Sequence, residues 1–137
     1  MNDFIWPVRV YYEDTDAGGV VYHANYLKFM ERARTEWLRH LGYEQDRLRD
    51  EEGLVFAVTR VEMEFQHPAR FNALLNVSVQ LSTHGRASMS LYQEVRDAHR
   101  QDLVYCRGKV KVACIDLGSF RPCALPPRLI AELADDE

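Results

Sequence analysis

The sequence predicts an α+β fold in which one long amphipathic helix is wrapped by a five-stranded antiparallel β-sheet. Three observations carry that expectation: a single long segment of helical period near the N-terminus, later segments that alternate apolar and polar residues, and the short connections between them. Strands with one apolar and one polar face belong to an antiparallel sheet covered on one side. The helix is the large element available to cover it. The 137 residues are read as one domain, 1–137, with no linker, repeat or low-complexity segment.

The first strand is placed at about Trp6 to Glu13, where Val8, Val10, Tyr11 and Tyr12 cluster, and the loop Asp14 to Gly19 follows. From His23 to Leu41 the period becomes helical, and Gly42 stands where a helix stop is expected. Tyr26, Leu27, Phe29, Met30, Ala33, Trp37, Leu38 and Leu41 cover about half of the helix circumference, an arc that suits a curved sheet. Lys28, Arg32, Thr35, Glu36 and Arg39 fill the other side. Arg34 breaks the pattern by falling inside the apolar arc. A guanidinium there needs a partner, with Glu31 the nearest candidate, or must extend its head to water.

Tyr43 to Gly53 is charged and has room for a short helix. Four alternating strands come next. Val55, Ala57, Thr59, Val61, Met63 and Phe65 form the apolar face of the first, and Leu75, Val77, Val79 and Leu81 that of the second. Ala87, Met89, Leu91 and Val95 form that of the third, and Val104, Cys106, Val110, Val112 and Cys114 that of the fourth. The connections at His67 to Arg70, Thr83 to Arg86 and Asp97 to Asp102 are short, so consecutive strands are expected to be antiparallel neighbours.

Composition excludes several functions. With 17 Lys+Arg against 21 Asp+Glu and no basic run, nucleic acid is not an expected partner. No apolar stretch has signal-peptide or membrane-spanning length, so a cytoplasmic protein is expected. Cys106 and Cys114 share parity within one strand and read as core residues, while Cys123 lies in a Pro-flanked tail without an assigned role. No His, Asp or Glu cluster has the spacing of metal ligands, and no metal is expected.

The densest chemistry lies between Tyr11 and Asn25, where Asp14, Asp16, Gly18 and Gly19 precede the helix start. A helix start leaves about four N–H groups unpaired and carries partial positive charge, so it can polarise a carbonyl oxygen. Glycines let a ligand approach the main chain, and a carboxylate beside it can act as general base or nucleophile. The same residues also build ordinary strand-to-helix turns, and their spacing alone leaves both readings open. No GxSxG nucleophile elbow is present.

The stretch Tyr12-Glu13-Asp14-Thr15-Asp16-Ala17-Gly18-Gly19-Val20-Val21-Tyr22-His23-Ala24-Asn25-Tyr26, followed by Glu31-Arg32-Ala33-Arg34, resembles the signature of the 4-hydroxybenzoyl-CoA thioesterase family. Within that family it is similar to the branch associated with the Tol-Pal system of Gram-negative bacteria. The resemblance runs from about Trp6 to the tail around Arg121 to Pro127 and implies the hotdog fold. It also implies hydrolysis of acyl-CoA thioesters, with short aliphatic acyl groups expected and coenzyme A present only as part of the substrate. It places the catalytic carboxylate on Asp16 rather than Asp14, and the carbonyl-polarising backbone amide on His23. Gly19, Tyr22, Asn25 and Glu31 become candidate substrate-binding residues, and Arg70 a candidate for the coenzyme A phosphates. The family's assembly implies a homo-oligomer, dimer or tetramer, with sheets paired edge to edge. It also makes acyl carrier protein a candidate partner and the inner face of the cell membrane a candidate location. A 3-hydroxyacyl thioester dehydratase and a non-catalytic acyl-binding module share the fold and stand as alternatives.

Overall fold

The structure, a computed structural model, describes residues 4–136. Its elements in chain order are β1 (Phe4–Arg9), α1 (Asn25–His40), α2 (Gln45–Arg47), β2 (Leu54–Phe65), β3 (Leu74–His84), β4 (Ser88–Asp97), β5 (Val104–Asp116), β6 (Arg121–Pro122) and α3 (Pro127–Asp136). The strands make one antiparallel sheet in the order β1-β3-β4-β5-β2, with the two-residue β6 added beside β5. The sheet curls around α1, whose Phe29, Met30 and Ala33 are completely buried. This is the hotdog architecture.

Two boundaries differ from those the sequence suggests. β1 stops at Arg9 because Tyr12–Asp14 forms a 3₁₀ turn, in which the Tyr11 N–H donates to Asp14 Oδ2 at 2.8 Å and competes with strand pairing. α1 begins at Asn25 rather than His23, because the Asn25 N–H closes a turn onto the Tyr22 carbonyl at 2.8 Å. At the other end Gly42 has the stop role assigned to it. With φ +99° it permits a Schellman closure, the Tyr43 N–H reaching Leu38 O and its own N–H reaching Arg39 O.

The expected meander is also corrected. β2 is not a neighbour of β3; it pairs with β5 at the far edge of the sheet. Residues 66–73 therefore form a crossover past the start of α1 instead of a hairpin. Their backbone groups find partners along the way: Gln66 N–H bonds Tyr105 O, Ala69 N–H bonds Tyr26 Oη, and Ala69 O accepts from Val21 N–H. A bulge in β2 then changes which residues face inward. Val58 opposes Val112 and Arg60 opposes Lys111, so Thr59 is the extra residue and the alternation shifts by one there. The inward set is Leu54, Phe56 and Val58 before the bulge, and Val61, Met63 and Phe65 after it. Val55, Ala57 and Thr59 are thus not on the core face.

The other strands keep the faces read from their alternation. Leu75, Val77, Val79 and Leu81 on β3, Met89, Leu91 and Val95 on β4, and Cys106, Val110, Val112 and Cys114 on β5 are all buried. Gln93 and Gly108 complete the inner face, directly opposite each other. A Cβ on Gly108 would stand 3.0 Å from Met30 Sδ, so the missing side chain lets α1 lie close to the sheet. Burial pushes the Cys106 and Cys114 thiols up to about 12, which leaves both as inert apolar fillers. Cys123 lies opposite Cys114, Sγ to Sγ 3.6 Å.

A second covering element adds to the helix. Leu125, Leu129 and Leu133, spaced by four, are buried by α3 and the residues before it, and Arg128 lies over the Tyr43 ring at 4.7 Å. That spacing was present in the charged tail and is the signal that identifies the helix.

Gly108→Val is expected to lower stability by roughly 1–3 kcal/mol through overpacking against Met30, seen as a lower denaturant midpoint at unchanged m.

Candidate active site

The loop between β1 and α1 is built around Asp14. Its carboxylate accepts the Tyr11 N–H, and its carbonyl oxygen accepts both the Tyr22 N–H and Asn25 Nδ2, each at 2.9 Å. These bonds leave Asp14 only 9% exposed. Asp14 is the loop's anchor. The chain then runs out and back as a small hairpin, Thr15 bridging Val21 and Val20 bridging Arg70.

Asp16 sits at the hairpin tip. The tight turn Asp16 to Gly19 closes with the Gly19 N–H on Asp16 O at 3.0 Å, while Gly18 N–H donates to Asp16 Oδ1 at 2.8 Å. Gly19 has φ +78°, a left-handed conformation that suits glycine, and a Cβ on Gly18 would crowd Asp16 Oδ1 at 3.3 Å. The turn reading of this motif is thus seen in the structure. Oδ1 is used locally, and among the described residues Oδ2 receives no donor.

His23 lies on the returning arm, between the hairpin and the helix. The N–H groups of Asn25, Tyr26 and Leu27 bond the carbonyls of Tyr22, His23 and Ala24, whereas those of His23 and Ala24 take no acceptor among the described residues. Two amides at the positive end of α1 are therefore without a protein acceptor among the described residues. The His23 ring stands 4.6 Å from the Tyr22 ring and edge-on to Phe65 at 6.0 Å. Phe65, at the end of β2, also lies 5.8 Å from the Tyr26 ring. Burial raises the Tyr26 hydroxyl pKa against the opposing effect of the Ala69 N–H, with Cys106 adding to the rise, so Tyr26 stays a neutral structural acceptor.

Asp16 and Gly19 share the turn at the hairpin tip, Tyr22 and His23 lie side by side on the returning arm, and all four are exposed. Asn25 is buried, its amide committed to Asp14, and supports the loop from beneath. Glu31 does not join them. It lies on the second turn of α1 at the rim of a separate cavity of about 160 Å³, together with Arg34 and Thr35. The candidate Glu31–Arg34 ion pair is not formed. Arg34 Nη1 donates instead to Gln93 Oε1 at 3.0 Å, because the fully buried Gln93 amide reaches the helix from β4. Burial lowers the Arg34 pKa and the more distant Glu31 raises it. Sequence reading missed Phe65 and Gln93. A lone Gln on an apolar strand face was the available signal for the second.

Among the described residues no three His, Cys, Asp or Glu side chains are grouped as metal ligands, and no helix is long and apolar enough to cross a membrane.

A single antiparallel sheet curled around one central helix defines the chain as a hotdog-fold protein. The chain belongs to the Thioesterase-like superfamily, which matches residues 10–133. It is 45% identical over 130 residues to the acyl-CoA thioesterase YbgC of Haemophilus influenzae, covering 95% of this chain and 93% of that protein. It is 42% identical to the acyl-CoA thioester hydrolase YbgC of Escherichia coli O6:H1, covering 94% of each. The crystal structure of a probable thioesterase from Bartonella henselae superposes with a TM-score of 0.78 at 34% identity, covering 90% of this chain and 98% of that one.

The different duties of the two aspartates are separable by stability. Asp14→Ala is expected to cost roughly 1–2 kcal/mol, because a partly buried N–H loses its acceptor. Asp16→Asn should stay within about 0.5 kcal/mol of wild type in chemical denaturation, as the amide oxygen still accepts from Gly18.

Proposed function

We propose that this chain hydrolyses short acyl-CoA thioesters to the free acid and coenzyme A. The observation that carries the reading is the free Oδ2 of Asp16 in the same β1–α1 loop as the unpaired His23 and Ala24 amides. A thioester carbonyl lacks the resonance protection of an amide, so a carboxylate suffices without an activated serine. The His23 N–H polarises the thioester oxygen and stabilises the negative charge that develops there. Asp16 then acts on the carbonyl carbon directly, giving an acyl anhydride that water opens, or takes a proton from the water that attacks. Either way the coenzyme A thiolate leaves and is protonated by solvent.

The relatives from H. influenzae and E. coli, which carry the acyl-CoA thioesterase names, support the substrate class. The exposed position of Asp16 and Phe65 supports assembly as well. β2 is a terminal strand of twelve residues whose inward-facing Val58, Val61 and Phe65 remain 47%, 39% and 52% exposed. An uncovered apolar edge of this length invites a second copy, β2 against β2, which would close the surface on which the loop stands.

Two measurements test these statements. Asp16→Asn, folded, is expected to lose at least about 100-fold in thiol release from acyl-CoA esters, and wild-type hydrolysis by that variant would refute the assignment. Sedimentation is expected to show a dimer or larger species at micromolar concentration; a stable monomer excludes the pairing.

A further inference from the structure

Arg34 has a setting that a structural cation does not need. It projects from the buried side of α1 with no carboxylate within 4.0 Å among the described residues, and one neutral acceptor, Gln93 Oε1, engages Nη1. Gln93 is itself 0% exposed, and its Nε2 donates to Met30 O at 3.1 Å and Ser78 O at 3.3 Å. Both ends of that amide are thereby assigned, and Oε1 is held toward the guanidinium. Filling the same space with apolar side chains would avoid the desolvation of a cation and an amide. Arg34 lines the cavity of about 160 Å³, whose walls include Trp37, Leu38, Phe56, Val58 and Leu91. Glu31, Thr35 and Gln45 complete the lining, Gln45 Nε2 donating to Thr35 Oγ1 at 3.3 Å, and the guanidinium is the one cationic donor in it.

We infer that this cavity receives the far end of the acyl chain and that Arg34 selects acyl groups carrying an oxygen acceptor there, a hydroxyl or a carboxylate. The inference rests on the proposed hydrolysis and on β2 pairing. α1 runs antiparallel to β2: Phe65 meets Tyr26 and His23 at the helix start, whereas Phe56 and Val58 meet Arg34 and Leu38 farther along. Antiparallel pairing of two β2 edges consequently sets the helix start of one copy beside the Val58 wall of the other. A thioester held at the amides of one copy directs its chain into the cavity of its neighbour. There a hydrogen bond from the guanidinium discriminates an oxygenated chain end from a plain one, because Gln93 Oε1 is the one acceptor that engages Arg34 among the described residues and a plain chain end offers it no second one.

The test compares kcat/KM of the wild-type enzyme for chain-matched pairs of acyl-CoA esters, each plain ester set against its terminal-hydroxyl and terminal-carboxyl analogues. At least one oxygenated ester is expected to be preferred by about 10-fold or more, the hydroxyl arm winning if Glu31 at the rim repels anions and the carboxyl arm winning if Arg34 dominates. Arg34→Met should bring the ratio close to one, and Arg34→Lys should restore part of it. Gln93→Leu should raise KM for the oxygenated ester while kcat is retained, as expected of a positioning residue. A wild-type ratio of one or less, or a ratio that Arg34→Met leaves intact, overturns the inference. If wild type hydrolyses no acyl-CoA ester, the proposed function fails instead. The cavity is then judged by NMR titration with the free hydroxy, dicarboxylic and plain acids, and equal binding of all three rejects it.

Discussion

The carbonyl oxygen of Asp14 is the fixed point of this structure's working end. Two donors converge on it, the main-chain N–H of Tyr22 and the side-chain amide of Asn25, so the outgoing arm of the loop, the returning arm and the first residue of α1 are tied to one atom. A carbonyl has two lone pairs, and both are used. With that atom satisfied, the remaining freedom of the loop is confined to the hairpin tip. The tip holds Asp16, while the returning arm leaves the His23 amide unpaired. The anchored part of the motif and its exposed part are therefore consecutive stretches of the same fifteen residues.

Much of the fold was legible in the residues. The faces of β3, β4 and β5 follow directly from alternation, and Gly42 stops α1 by the conformation that only a residue without Cβ adopts easily. What alternation does not record is an inserted residue. Thr59 changes the parity of β2 without any change in composition, so the stretch still reads as a regular strand. Connection length misleads in a related way. Residues 66–73 are few enough for a hairpin, but their donors and acceptors are taken by Tyr105, Tyr26 and Val21, partners distant in sequence that no local pattern reveals.

The candidate site divides similarly. Asp16 and the His23 amide stood out as candidates because glycines, carboxylates and a helix start share a short segment. The separation of Glu31 from that segment was not, since the helix carries it around to another cavity. Arg34 was recognisable as an anomaly from its place in the apolar arc. Its partner was hidden in β4, where Gln93 interrupts the series Met89, Leu91, Val95 and occupies the position an apolar residue would be expected to fill.

The placement of β2 next to β5 has a consequence for how the chain folds. β3, β4 and β5 are joined by short hairpins and can zip together locally, but Phe65 must find Cys106 and Leu54 must find Asp116 across most of the remaining sequence. Closing so large a loop is entropically slow, which puts the docking of β2 late in assembly. Until it docks, β5 offers an open edge as well. At high chain concentration a β2 from another molecule competes for that edge, and the order of events, own strand first and neighbour second, decides between a native dimer and an exchanged one.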